Sequence, residues 1–206
     1  MTMTGPRFTE DLSHLPTHGF GHRAVTWWGE IAFFLIEGTA FAMAIAAYFF
    51  LMNQEQAWPP PPFAAPDLIA GTLFTILILV SEIPNSMAKH AAEHGQLRKL
   101  RRLLLLHGAI GLVLLGLRLW EFDSLNVLWS DNAYGSIIWA LLLLHALHFL
   151  TDWVDTIVLA ALMHTRHGME GRRFVDCAEN AMYWRFVWLS WLPIYGLIYW
   201  LPRLAP

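Results

Sequence analysis

The sequence predicts an all-α membrane protein, a bundle of five transmembrane helices with its N-terminus inside and its C-terminus outside. Three observations lead there. Apolar residues make up 56% of the 206-residue chain and charged residues only 14%, against roughly 45–50% and about 25% in soluble domains. Five stretches stay apolar for about 20 residues, the length that crosses about 30 Å of hydrocarbon. The Lys and Arg residues crowd into alternate connections between those stretches. The same composition removes other classes. A single cysteine, Cys177, excludes a disulfide scaffold. The hydrophobicity excludes a disordered chain, and a formal net charge of −3 argues against nucleic-acid binding.

Taken in order, residues 1–25 lack the apolar core of a cleaved signal peptide and read as a short tail on the cytoplasmic surface. Residues 26–203 form one five-helix domain. The first helix, 26–52, is interrupted by Glu30 and Glu37. A proline run at 59–62 makes a stiff turn into the second, 67–88, which has Glu82 and Pro84 near its end. The third, 103–122, holds His107 and Arg118. The fourth, 134–163, is the longest and carries His145, His148, Asp152 and Asp155. The fifth, 181–201, contains Arg185 and is dense in Trp and Tyr.

Lys89, Arg98, Lys99, Arg101 and Arg102 lie in the connection from the second to the third helix. Arg166, Arg172 and Arg173 lie in that from the fourth to the fifth, and Arg7 and Arg23 precede the first. The opposite connections, 53–66 and 123–133, hold no Lys or Arg. Cytoplasmic loops retain positive charge, which sets the orientation. Trp27, Trp28, Trp129, Tyr134, Tyr199 and Trp200 read as an interfacial aromatic belt. Gly38, Ala42 and Ala46, four apart, read as a surface for close helix packing.

Ionisable groups at membrane depth are costly, so each needs a partner or a task. His145, His148, Asp152 and Asp155 follow spacings of 3, 4 and 3, which puts all four on one helical face. Glu37 lies about 15 Å into the membrane at 1.5 Å per residue, level with the histidines, so a hydrogen bond to His145 or to His148 fits the geometry. Three uses of these groups stay open: a polar network that glues helices, a proton-related role, and metal or haem ligation. Two histidines three apart with carboxylates suit a metal, but no second helix supplies a matching set. Arg118 and Glu121, three apart, form an intrahelical pair or anchor a neighbour. The chain has no Gly-rich phosphate loop and no HExxH, CxxC or GxSxG motif.

Several motifs in order resemble subunit III of the haem-copper respiratory oxidases (cytochrome c oxidase), in a short five-helix form. The helix FFLIEGTAFAMAIAAYFF looks like that family's helix with a mid-membrane glutamate, here Glu37. AKHAAEHGQLRKLRRLLLLHGAIGLVLLGLRLWEF is similar to its basic loop and the helix ending in a glutamate-aromatic pair, Glu121-Phe122. His145-Ala146-Leu147-His148 is similar to its HGLH-type motif, and Glu179 followed by Tyr183-Trp184-Arg185-Phe186-Val187 to its closing E…YWHFVD motif. Order and spacing agree over about 27–201. The departures are also clear: this chain lacks counterparts of the family's first two helices, which form a lipid-holding cleft. Arg185 and Trp188 replace a histidine and an aspartate, and Asp152 and Asp155 stand where apolar residues and glycine are expected.

The resemblance implies a non-catalytic, multi-pass subunit of a terminal oxidase in the bacterial inner membrane, serving respiratory electron transport and proton translocation. Its partners are the catalytic subunit I, subunit II and membrane phospholipid. Haem and copper are expected in the catalytic partner, with no cofactor in this chain beyond bound phospholipid. It further implies support for proton uptake and turnover stability. Glu37, His145, His148, Asp152, Asp155 and Glu121 are candidates for a buried, proton-related network. Arg185 and Trp184 are candidates for phospholipid contact, with a positive-inside anchor as the other use of Arg185. No catalytic or metal-ligating residue is expected. Two alternatives remain: the related accessory subunit of a nitric oxide reductase, whose third helix ends similarly to Leu119-Trp120-Glu121-Phe122, and a small proton or solute transporter.

Overall fold

The structure is a computed structural model and describes residues 18–204; most of the expected surface tail lies outside the described residues. Five long helices make up the bundle: α1 (Val25–Met52), α2 (Leu68–Glu93), α3 (Leu97–Asp123), α4 (Ala133–Met163) and α5 (Gly171–Tyr195). The last continues without a break through a π-helical stretch, Gly196–Trp200, to Leu204. Helices α1 to α4 are each long and apolar enough to cross a membrane. α5 is less apolar because it carries Arg172, Arg173, Asp176, Glu179 and Arg185. At 31 residues, α4 is about 46 Å long and outspans the hydrocarbon core. Asn132 caps its start, accepting from the Gly135 N–H at 2.8 Å.

Hydropathy found the five helices but underestimated the ends of three of them. α2 and α3 run on past the apolar segments, so Lys89, Arg98, Lys99, Arg101 and Arg102 sit on helical turns, and the connection shrinks to His94, Gly95 and Gln96. α5 begins at Gly171 instead of 181. A helix satisfies its own backbone hydrogen bonds as it leaves the apolar layer, so polar composition does not end it.

The bundle is unevenly packed. α2 lies along both α3 and α5, α4 joins α3 and α5, and α1 rides on the outside against α4 and α5. α2 buries eleven residues, whereas α1 buries only Phe41 and Tyr48. Ala42 and Ala46 are exposed, so the small-residue row on α1 is not a seam within this chain. The basic ends of the helices share a tight core of Ala88, Ala91 and Ala92 against Leu100, Leu103 and Leu104. Towards the opposite ends the core is aromatic, with Phe74 edge-on to Phe149 and to Trp191. Tyr134 and Tyr199 are fully buried in it. They are core residues rather than members of an interfacial belt, whereas Trp28, Trp129 and Trp200 are exposed.

Candidate functional site

Helix α4 distributes its four-residue polar stripe to three neighbours. His145, the deepest, turns towards α3 and α5. Its Nδ1 accepts from Arg118 Nη2 at 2.9 Å and its Nε2 meets the Val187 carbonyl at 3.0 Å. A carbonyl only accepts, so Nε2 carries the proton and the ring is the neutral tautomer. Arg118 Nη1 also donates to Glu121 Oε2 at 2.6 Å, and Tyr199 O–H donates to Glu121 Oε1 at 2.6 Å. The Arg118 guanidinium lies 3.7 Å from the Phe74 ring centre and 4.2 Å from that of Trp191, an arrangement that favours a desolvated cation. Arg118, Glu121 and His145 are all buried. The pair expected along α3 thus exists and also anchors two other helices. Gly71 makes room for it: a Cβ there would lie 2.4 Å from the Tyr199 ring.

One turn further along α4, His148 faces α1. Its Nδ1 lies 2.7 Å from the Leu144 carbonyl and so carries a proton, while Nε2 stands 3.6 Å from Glu37 Oε1. In the neutral tautomer two lone pairs face each other across that gap. Tyr183 O–H secures the other oxygen of Glu37 at 2.8 Å. Of the two expected partners for Glu37, His148 is the one it faces, but at 3.6 Å they share no hydrogen bond, and the bond Glu37 makes is to Tyr183.

Asp152 and Asp155 turn to α5, where one amide serves both. Asn180 Nδ2 donates to Asp152 Oδ1 at 2.8 Å and to Asp155 Oδ2 at 3.3 Å, and Asn180 Oδ1 accepts from Thr156 at 3.1 Å. Asp152 is 3% exposed, and its Oδ2 has no hydrogen-bond partner among the described residues. These groups line a cleft of about 690 Å³ between α1, α4 and α5. Six carboxylates line it, from Glu30, Glu37, Asp152, Asp155, Asp176 and Glu179, with Arg172 and Arg173. Arg173 spends its charge on Asp176 at 2.8 Å.

The residues taken as lipid contacts fare differently. Arg185 donates from Nε to Glu82 at 2.6 Å and from Nη2 to Ser86 at 2.6 Å, and its side chain is 37% exposed. Trp184 is 1% exposed and donates to Ser81 at 2.9 Å. It packs edge-on to His107 and does not reach the lipid-facing surface. Sequence reasoning passed over Asn180, read Tyr183 only as part of the closing motif and Tyr199 as a belt residue, yet these three complete all three parts of the stripe. An isolated amide or phenol carries no periodic signal, and only its distance from the helix ends marks it.

A multi-helix membrane protein with charged groups paired inside the bundle is the class that this fold and these clusters define. The family model described as cytochrome c oxidase subunit III matches residues 13–203, and the chain belongs to that family. It is similar to cytochrome c oxidase subunit 3 of Thermostichus vulcanus, 23% identical over 90% of this chain and 92% of the relative. It is also similar to cytochrome c oxidase subunit 3 of Synechocystis, 24% identical over 88% and 78% of the two chains. The probable cytochrome c oxidase subunit 3 of Mycobacterium bovis is 28% identical over 83% of this chain and 85% of its own.

Proposed function

We propose that this chain is the non-catalytic subunit III of a haem-copper terminal oxidase in a bacterial inner membrane. It packs on the catalytic subunit, which with subunit II holds the haem and copper. Its own residues hold protons and phospholipid. The observation that carries the proton part is the acidic cleft ending at the Glu37–His148 pair. With the basic helix ends on the inner side, as positive charge requires, the cleft faces the compartment from which protons are taken. Glu30 and Asp155 gather protons towards Asp152 and Glu37, and Tyr183 keeps the Glu37 carboxylate aimed at His148. The lipid part rests on Arg185, whose partly exposed guanidinium pairs with Glu82 and keeps Nη1 for a phosphate oxygen.

The test is purification in mild detergent through a tag on this chain, with an absorption spectrum, mass spectrometry and gas consumption. A co-purifying haem-bearing subunit that consumes oxygen is the expected result. Nitric oxide reduction by the co-purified subunit would assign the chain to a reductase instead. A colourless, solitary and stable chain would overturn both and favour a transporter.

A further inference from the structure

One group of ligand-bearing side chains lies outside the clusters described so far. His90, Glu93 and His94, at the C-terminal end of α2, are exposed, and each offers a donor atom within 4.8 Å of the other two. Their spacing of i, i+3 and i+4 places them on one helical face. The backbone beneath them is pinned. α2 ends with Gly95 N–H on the Ala92 carbonyl at 3.1 Å and Gln96 N–H on the Ala91 carbonyl at 2.8 Å, with Gly95 at φ +63°, which is the Schellman closure. His94 is the capping residue, so its ring belongs to the last turn of the helix and not to a swinging loop.

The ring nitrogens are already assigned. His94 Nδ1 lies 2.8 Å from the His90 carbonyl and must carry the proton, which leaves the Nε2 lone pair free. A hydrogen bond from one ring nitrogen to a carbonyl is the usual support behind a metal-ligating histidine. The two rings lie 4.0 Å apart, centre to centre.

We propose that His90, Glu93 and His94 bind a first-row transition-metal ion of the Zn2+, Cu2+ or Ni2+ class. Two imidazole nitrogens and one carboxylate oxygen supply the protein ligands, and water completes the shell. Imidazole with a single carboxylate selects these borderline ions over Mg2+ and Ca2+, which take oxygen ligands. Ligands at about 2.0–2.2 Å around a tetrahedral ion stand about 3.3 Å apart, so the existing donors close on the ion by side-chain rotation alone. The carbonyl end of α2 favours a cation. The standing competitor is Lys89, 3.8 Å from Glu93, and such an exposed pair is weak.

The experiment adds Zn2+ alone to the detergent-solubilised full-length chain in competition with a chromophoric chelator, and records Cu2+ electron paramagnetic resonance on the same samples. One equivalent is expected to bind with coupling to two imidazole nitrogens. H90Q/H94Q should weaken it about 10- to 100-fold and remove that coupling, with the melting temperature unchanged because both side chains are exposed. H164Q/H167Q, at the same end of the bundle, should leave it intact. Equal affinity and coupling in wild type and H90Q/H94Q, or loss of the site in H164Q/H167Q instead, overturns the proposal.

Discussion

Two polar regions share helix α4, and they are built on opposite terms. Around His145 the charges are paired: Arg118 bridges Glu121 and His145, and Tyr199 closes the far oxygen of Glu121, with Arg118 Nε alone of these polar atoms lacking a hydrogen-bond partner. No solvent reaches it, since Glu121 and His145 are 0% exposed. Around Asp152, six carboxylates share one cleft with a single amide between two of them, and one buried oxygen is left over. The first arrangement locks three helices together. The second leaves most of its carboxylates to the cleft.

The comparison is most readily broken at Arg118. Arg118→Met strands Glu121 in the sealed region and should cost about 3–5 kcal/mol, read as a fall in the thermal melting temperature of the detergent-solubilised protein. Tyr199→Phe removes one donor to the same carboxylate, and about 1–3 kcal/mol should be lost. In the open region the counterpart is Asp152→Leu, which also removes an unpartnered oxygen, so stability should change by less than about 1.5 kcal/mol. If Asp152→Leu cost as much as Arg118→Met, the contrast between sealed and open regions would fail. Glu37→Gln keeps the Tyr183 hydrogen bond and should move stability by about 0.5 kcal/mol or less. Assembly should survive, while turnover of the assembled oxidase falls or decays faster, because an amide cannot share a proton with His148. Unchanged turnover would leave the pair a structural one.

The smallest effect belongs outside the membrane. The hydrogen bond from His167 holds the Glu170 carboxyl below its ordinary range. A depressed carboxylate contributes stability above its unfolded value and loses it as pH falls through the folded one. Glu170→Gln should therefore lower the melting temperature slightly at neutral pH, and the difference between the two proteins should vanish in acid.

Much of this was legible in the sequence, because the membrane makes strong demands. Twenty apolar residues have few other uses, and the 3, 4, 3 spacing on α4 correctly announced a polar face. The partners on α5 were harder to foresee. Asn180 lies one residue outside the span expected at 181–201 and Tyr183 only just inside it, and their place on the cleft follows from a helix that begins ten residues earlier, at Gly171. Tyr199 looked like a belt residue because aromatics near a helix end usually are. The π-helical stretch carries it inward, against Gly71. His94 falls among polar residues between the spans expected at 67–88 and 103–122, whereas the turn is only three residues long and His94 caps the helix.

That turn has a bearing on how the protein reaches its membrane. Three residues span about 10 Å, far less than the hydrocarbon thickness, so the end of α2 and the start of α3 are tethered to one face from the moment both exist. Arg98, Lys99, Arg101 and Arg102 follow at once on α3. The two helices therefore form a tight hairpin, and the charges at its tip bias both helices toward the same orientation.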